Sequence, residues 1–315
     1  MNNSENYESW SFVFATDIHI GSLRSYRFQP AWNENWKTAR SQIQQRRPDL
    51  VLVGGDMTRD GSTHVEELVE SKHDLETMGM PVHVIPGNHE VGNKWSPDSS
   101  VAIRSEYLHR YQKVYGASEW SFVQGTGSNT VRFTGLNAFL LGSGLPEEAL
   151  LRAWLDGLER DSRAAHHVWM IHPSMFADRF DEADFDPVTD RVPWYFGLNQ
   201  VDREYLWDVM RRTGVTQVLS GHIHCRRHVR HAGVDFYLGP ATAFPQWGER
   251  WPDGDATLGF MEFTVSEGAI TPEFVPLDRV SDQVGYGPGG NPPIEGRDYS
   301  VAREQPAFKP CRDED

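Results

Sequence analysis

The chain has 315 residues, of which 38% are hydrophobic and 24% charged, enough apolar material for a core and too much for a disordered polymer. Thirty basic against 45 acidic residues leave a formal charge of −15, which repels phosphate backbones and anionic lipid and disfavours nucleic acid as a partner. Two cysteines, Cys225 and Cys311, exclude a disulfide framework and a cysteine zinc cluster, and no apolar run approaches the roughly 18 residues needed to span a bilayer.

Residues 1–10 are polar, carry Glu5 and Glu8, and lack the basic, apolar and small-residue regions of a signal peptide. The expectation is a soluble cytoplasmic protein. Residues 11–16 then read as a buried strand, 32–47 as a helix ended by Pro48, and 50–53 as a second strand. A helix over 63–78 follows, with Thr63 as N-cap, Glu66 three positions on and Gly79 as its stop. Residues 81–85 give a third strand, and the β-α-β-α-β order predicts a parallel sheet. Residues 101–114 read as helical. Short runs at 120–123, 130–133 and 136–141 suggest antiparallel strands, and 146–161 an amphipathic helix opened by Pro146. A strand at 167–171, a helix at 202–212, a strand at 215–220 and β-like runs at 226–231, 234–238, 258–265 and 270–276 complete the pattern. Two facing sheets with helices outside account for all of it.

Two stretches stand apart. Residues 174–200 hold six acidic residues between Asp178 and Asp190, then Trp194, Tyr195 and Phe196. They read as a lid or a solvated loop, and the aromatics as a pocket wall or a subunit contact, which makes a homodimer one expected state. Residues 281–315 are rich in Gly and Pro, and form a tail that is partly wrapped or disordered beyond a domain of residues 1–280.

The informative residues sit at strand ends. Five apolar runs end in Asp17-Ile-His19, Gly54-Gly-Asp56, Gly87-Asn-His-Glu90, His172 and Gly221-His-Ile-His224. In open α/β sheets, ligands gather at the carboxyl ends of strands. Seven residues there are metal-type ligands: Asp17, His19, Asp56, Asn88, His172, His222 and His224. Seven are too many for one tetrahedral zinc and suit two metals sharing a carboxylate. Imidazole and oxygen donors without thiolate fit Mn, Fe or Zn. The remaining histidines, His167 among them, read as surface or satisfied core, and Cys225 as a packing residue.

These five blocks, in this order over residues 17–224, resemble the signature of the calcineurin-like metallophosphoesterases. The resemblance departs at Glu90, where many members carry Asp. It implies a four-layer αββα sandwich, two mixed β-sheets flanked by helices, with a binuclear metal site at the strand ends. It implies that Asp17, His19, Asp56 and His224 hold one metal and that Asp56, Asn88, His172 and His222 hold the other. His89 would be catalytic, meeting the substrate phosphate or protonating the leaving oxygen, steadied by Glu90. In such a site two metals roughly 3.5–4 Å apart supply a bridging hydroxide that attacks phosphorus in line. Carboxylates, with Asp60 and Glu90 nearest, are expected to orient the ligating imidazoles. The expected function is metal-dependent hydrolysis of a small phosphodiester, with a phosphomonoesterase and a non-catalytic metal-binding scaffold as rivals. The expected partner is a small phosphate ester, not a membrane.

Overall fold

A computed structural model describes residues 8–25, 28–96, 99 and 101–283. The strand sequences are apolar on both faces, and the two faces go to different cores. In β1 (Trp10–Ala15), Phe12 and Phe14 point into a core shared with Phe133, Met170 and Leu219. Val13 and Ala15 point the other way, among Trp36, Ala39 and Ile43 of α1 (Pro30–Arg46). β2 (Leu50–Val53) repeats this, with Leu50 and Leu52 inward and Val51 and Val53 towards the helices. Burying both faces of a strand requires a sheet on one side and helices on the other, which makes four layers.

The first sheet has the order β11-β10-β1-β2-β3, with β3 at Val82–Val84, β10 at Gly259–Ser266 and β11 at Ala269–Pro276. β1, β2 and β3 are parallel, and β10 and β11 run antiparallel at the edge. The second sheet has the order β4-β5-β6-β7-β9-β8. It comprises β4 (Trp120–Gln124), β5 (Val131–Gly135), β6 (His166–Met170), β7 (Gln217–Ser220), β8 (Arg227–His231) and β9 (Val234–Leu238). β5, β6, β7 and β9 are parallel, with β4 and β8 antiparallel at the edges. Helices α2 (Val65–Glu76), α3 (Asn88–Val91), α4 (Ser105–Tyr115), α5 (Pro146–Asp156), α6 (Arg191–Phe196) and α7 (Gln200–Thr213) complete the chain order. Among the described residues no helix is long and apolar enough to cross a membrane.

The structure departs from the sequence pattern in three places. Residues 136–141 are not a strand, because the Asn137 side chain accepts the Phe139 N–H and bends the chain into a short 3-10 turn. α2 starts after His64 instead of Thr63, whose hydroxyl donates to the Asp60 carbonyl. α5 closes at Gly157, five residues before the end expected from its pattern. The acidic stretch 174–200 is ordered, and its acids make its turns. Glu182 accepts the N–H groups of Ala177, Asp178 and Arg179, and Asp186 those of Val188 and Thr189. Of the expected tail, Ser281 donates its N–H to Asn35 on α1, while residues 284–315 and Cys311 lie outside the described residues.

His167 shows how a buried imidazole is satisfied in the core. Trp169 Nε1, which can only donate, reaches His167 Nε2 at 3.1 Å, so that nitrogen carries no proton. The opposite nitrogen faces the Thr213 carbonyl at 3.2 Å. Burial pushes the His167 pKa down to about 4. The folded state therefore favours the neutral ring. Its contribution is complete above the unfolded pKa near 6.5 and is lost as the pH falls towards 4, by roughly 3 kcal/mol. A ring-proton NMR titration should give His167 a midpoint near 4, and a midpoint near 6.5 would show that the ring is not held neutral.

Candidate metal centre

The strand-end residues converge. Asp17 and His19 lie in the turn after β1, Asp56 after β2, Asn88 and His89 at the start of α3, His172 after β6, and His222 and His224 after β7. Five of them hold the left-handed backbone region: Asp17 (φ 53°), His19 (50°), Asp56 (50°), His222 (74°) and His224 (48°). Side chains rarely adopt it, and such strain persists only where the surroundings over-determine it. Two glycines allow the approach. A Cβ on Gly87 would overlap the Asp56 carboxylate, and one on Gly221 would overlap the Thr16 hydroxyl.

The result is two buried groups that meet at Asp56. Ligand atoms of Asp17, His19, Asp56 and His224 lie within 4.8 Å of one another, and so do those of Asp56, His172 and His222. His224 Nε2 is 3.2 Å from Asp17 Oδ1 and 3.1 Å from His19 Nε2. His172 Nε2 is 3.1 Å from Asp56 Oδ2, with His89 Nε2 at 3.9 Å from the same oxygen. Burial works to raise the Asp56 pKa, but His172, His89 and His19 hold it well below the usual carboxylate range. Burial works to lower the His172 pKa, but Asp56 and Asp17 raise it to about 9.

The sequence profile of the calcineurin-like phosphoesterase family matches residues 11–226, which contain all of these ligand residues. The chain belongs to the calcineurin-like phosphoesterase family. It is a hydrolase acting on phosphate esters. A zebrafish (Danio rerio) relative named serine/threonine-protein phosphatase CPPED1 is 25% identical over 306 residues, covering 89% of this chain and 90% of its own. A Synechococcus relative named a probable cyclic nucleotide phosphodiesterase is 25% identical over 209 residues, covering 64% of this chain and 68% of its own. Among solved structures, yellow lupin purple acid phosphatase PPD1 superposes with a TM-score of 0.60 at 14% identity. That likeness covers 88% of this chain, which spans 53% of the lupin protein, and it concerns the fold.

The donors of this phosphoesterase fit the two metal ions of its family. His172 Nδ1 is 2.7 Å from the Gly54 carbonyl, His222 Nε2 is 2.9 Å from the Tyr195 carbonyl, and His224 Nδ1 is 2.9 Å from the Phe244 carbonyl. A carbonyl only accepts, so each of these nitrogens carries a proton, and the opposite nitrogen faces inward, where a metal ion would take the place of any second proton. Asn88 Oδ1 and His222 Nδ1 are buried without a hydrogen-bond partner, as befits atoms meant for a cation. The sequence suggested carboxylates as the orienting groups, but main-chain carbonyls do this. Cys225 is buried against Phe196, Ile223 and Trp251 and adds no thiolate.

The sequence did not show how the rim is assembled. Trp32 and Phe244 are half-buried and stacked at 4.3 Å, with the Phe244 ring against His19 and His224. The Arg59 guanidinium lies 5.1 Å from the Trp32 ring centre, and its Nη1 is 3.4 Å from His89 Nδ1. The clue was the aromatic spacing around Trp32 and Phe244, which no single motif contains.

Glu90 is fully buried and its two oxygens accept four hydrogen bonds. One oxygen takes the N–H groups of Asp56 and Gly87 at 3.0 and 2.8 Å, and the other takes the N–H and hydroxyl of Thr58 at 2.9 and 2.6 Å. It clamps the Asp56 turn to the Asn88 turn. The His89 ring is oriented instead by the Arg59 carbonyl, 2.6 Å from Nδ1. Glu90→Gln brings an amide N–H against backbone N–H donors on either oxygen. It should destabilise the fold by about 1–3 kcal/mol, read by chemical denaturation. A variant of wild-type stability would show that the clamp carries no strain-bearing role.

Proposed function

We propose that this chain is a two-metal phosphomonoesterase whose ligands are Asp17, His19, Asp56, Asn88, His172, His222 and His224, with Asp56 shared. The domain would run over residues 1–280. The observation that carries the monoester reading is Arg59, a buried guanidinium beside His89 at the site. A monoester at neutral pH carries more negative charge than a diester, so a fixed cation beside the phosphate favours it. The zebrafish relative's name, over nearly the full length of both chains, supports the same reading.

Bound there, two divalent ions would neutralise the phosphoryl oxygens and make water a nucleophile at neutral pH. The chain's own residues do the rest. Asp17 and Asp56 balance the positive charge. The carbonyls of Gly54, Tyr195 and Phe244 fix which imidazole nitrogens face inward. His89, its Nδ1 proton on the Arg59 carbonyl, turns Nε2 towards Asp56 and the substrate, where that nitrogen passes a proton to the leaving oxygen. A diesterase is the second reading, favoured by the Synechococcus relative.

The test is hydrolysis of an aryl phosphomonoester against the matching diester by the Mn²⁺-loaded protein. The monoester should be preferred, and Arg59→Ala should reduce kcat/KM for the monoester more than for the diester. A diester preference that survives Arg59→Ala would overturn the reading. Asp56→Asn should lose both metals and nearly all activity. His89→Ala should keep both metals while turnover falls by about 10²–10⁴, most with poor leaving groups. Equal metal loss in the two variants, read by elemental analysis, would overturn the assignment of roles.

A further inference from the structure

Lys94 is a lysine with 6% exposure, six residues beyond Asn88. Its ammonium donates to the Gly197 carbonyl at 2.7 Å and to Asn199 Oδ1 at 3.1 Å, and lies 4.5 Å from the centre of the Trp194 ring. All three partners belong to the end of the 174–200 excursion. That excursion leaves and rejoins the domain at one point, because Ser174 exchanges backbone hydrogen bonds with Phe196 and Leu198. Ser174 lies two residues after His172. Just inside this neck is Tyr195, near the end of α6. Its carbonyl is among the last of that helix, the set with no partner inside the helix, and it takes the His222 Nε2 proton. The Tyr195 ring also lies on the His222 ring, with centroids 4.1 Å apart.

A buried ammonium costs several kcal/mol unless its hydrogen bonds are made. Asp184, Asp202 and Glu182 supply opposing charge around it. Such a group is retained where it fixes something. The first part of the excursion is held by other residues, Arg250 and Trp251 on Asp178 at 3.2 and 2.7 Å and Arg227 on the Ala177 carbonyl at 3.1 Å.

We infer that Lys94 is a positioning residue for one half of the metal centre. It latches the neck of the excursion so that the Tyr195 carbonyl holds His222 in its ligating tautomer and orientation. This rests on the two-metal reading above. Lys94 thereby joins the Asn88 turn to His222, two donors assigned to the same ion. The other ion's donors are Asp17, His19 and His224: His224 Nδ1 is held by the Phe244 carbonyl, and Asp17 meets His222 through its backbone N–H and not through the ring that the latch orients.

The experiment is a Mn²⁺ titration of the metal-stripped, full-length protein by calorimetry, with bound ions counted by elemental analysis. Wild type should take up two ions. In Lys94→Met, which keeps length and bulk, the affinity for one of the two ions should fall about 10–100-fold and that for the other should not change. Arg179→Ala, which removes an exposed ion pair with Asp181 in the same excursion and leaves the neck intact, should bind both ions as wild type does. If Lys94→Met does not fold, Asn199→Ala removes one latch partner and should show a smaller loss in the same ion. Unchanged affinities in a folded latch variant, or equal loss of both ions, would overturn the latch while leaving the two-metal reading standing. Wild type binding a single ion would overturn that reading and the latch with it.

Discussion

The oxygens of Asp17 and Asp56 belong to one buried cluster, within 4.8 Å of each other. Two carboxylates at that distance repel by about 3–4 kcal/mol at an effective dielectric constant near 20. Nothing apolar can offset this. The fold surrounds the pair with donors: His222 gives its N–H to Asp17 at 3.1 and 3.0 Å, and His89 gives its N–H to Asp56 at 2.9 Å. Imidazoles from four separate turns complete the shell. The parallel order of β1, β2, β6 and β7 follows from the same requirement, since only strands running the same way can deliver their terminal residues to one point.

The cost of that delivery is written in the backbone. Five ligand residues with side chains hold positive φ, at something like 1 kcal/mol or more each. A marginally stable fold tolerates this only if each turn is held from outside. Glu90 holds one of them, the Asp56 turn, and ties it to Gly87 by accepting the N–H groups of Asp56, Thr58 and Gly87. A carboxylate suits the task because it accepts on both oxygens, and the four bonds offset only part of the cost, since burial and the neighbouring Asp56 charge push its pKa up to about 7. The strained turns, the glycines that cannot bear a Cβ and the buried acid are one arrangement.

This explains what could be read from the sequence and what could not. The clustering of the candidate ligands was legible because five apolar runs that end in Asp, Asn or His mark strand ends. The four layers were legible because strands such as 11–16 and 50–53 are apolar on both faces. The run 136–141 looked like another such strand, but a single Asn side chain bonded to its own backbone outweighed the pattern. Thr63 looked like a cap, but its hydroxyl was already engaged. The association of Arg59, Trp32 and Phe244 was not legible because it is made by the tertiary fold across more than 200 residues. The acids of 174–200 read as a lid or a solvated loop, whereas Glu182 and Asp186 close turns within the segment.

The choice of orienting group has a consequence for how such a site can vary. A carboxylate that orients an imidazole fixes a residue type, and losing it loses the site. Here the orienting atoms are the carbonyls of Gly54, Tyr195 and Phe244; a Cβ at Gly54 would overlap the Phe14 ring, but the carbonyls at 195 and 244 do not depend on the side chains there. What must persist is the path of the chain. The side chains at 195 and 244 are thereby released for another use, and both are aromatic, half-buried and in contact with ligand histidines. Substituting them changes the wall that faces the substrate without removing the hydrogen bond that holds the metal ligand. A centre built this way can change what it accepts while its metal-binding geometry stays fixed, provided that groups such as Lys94 keep the supporting segments where they are.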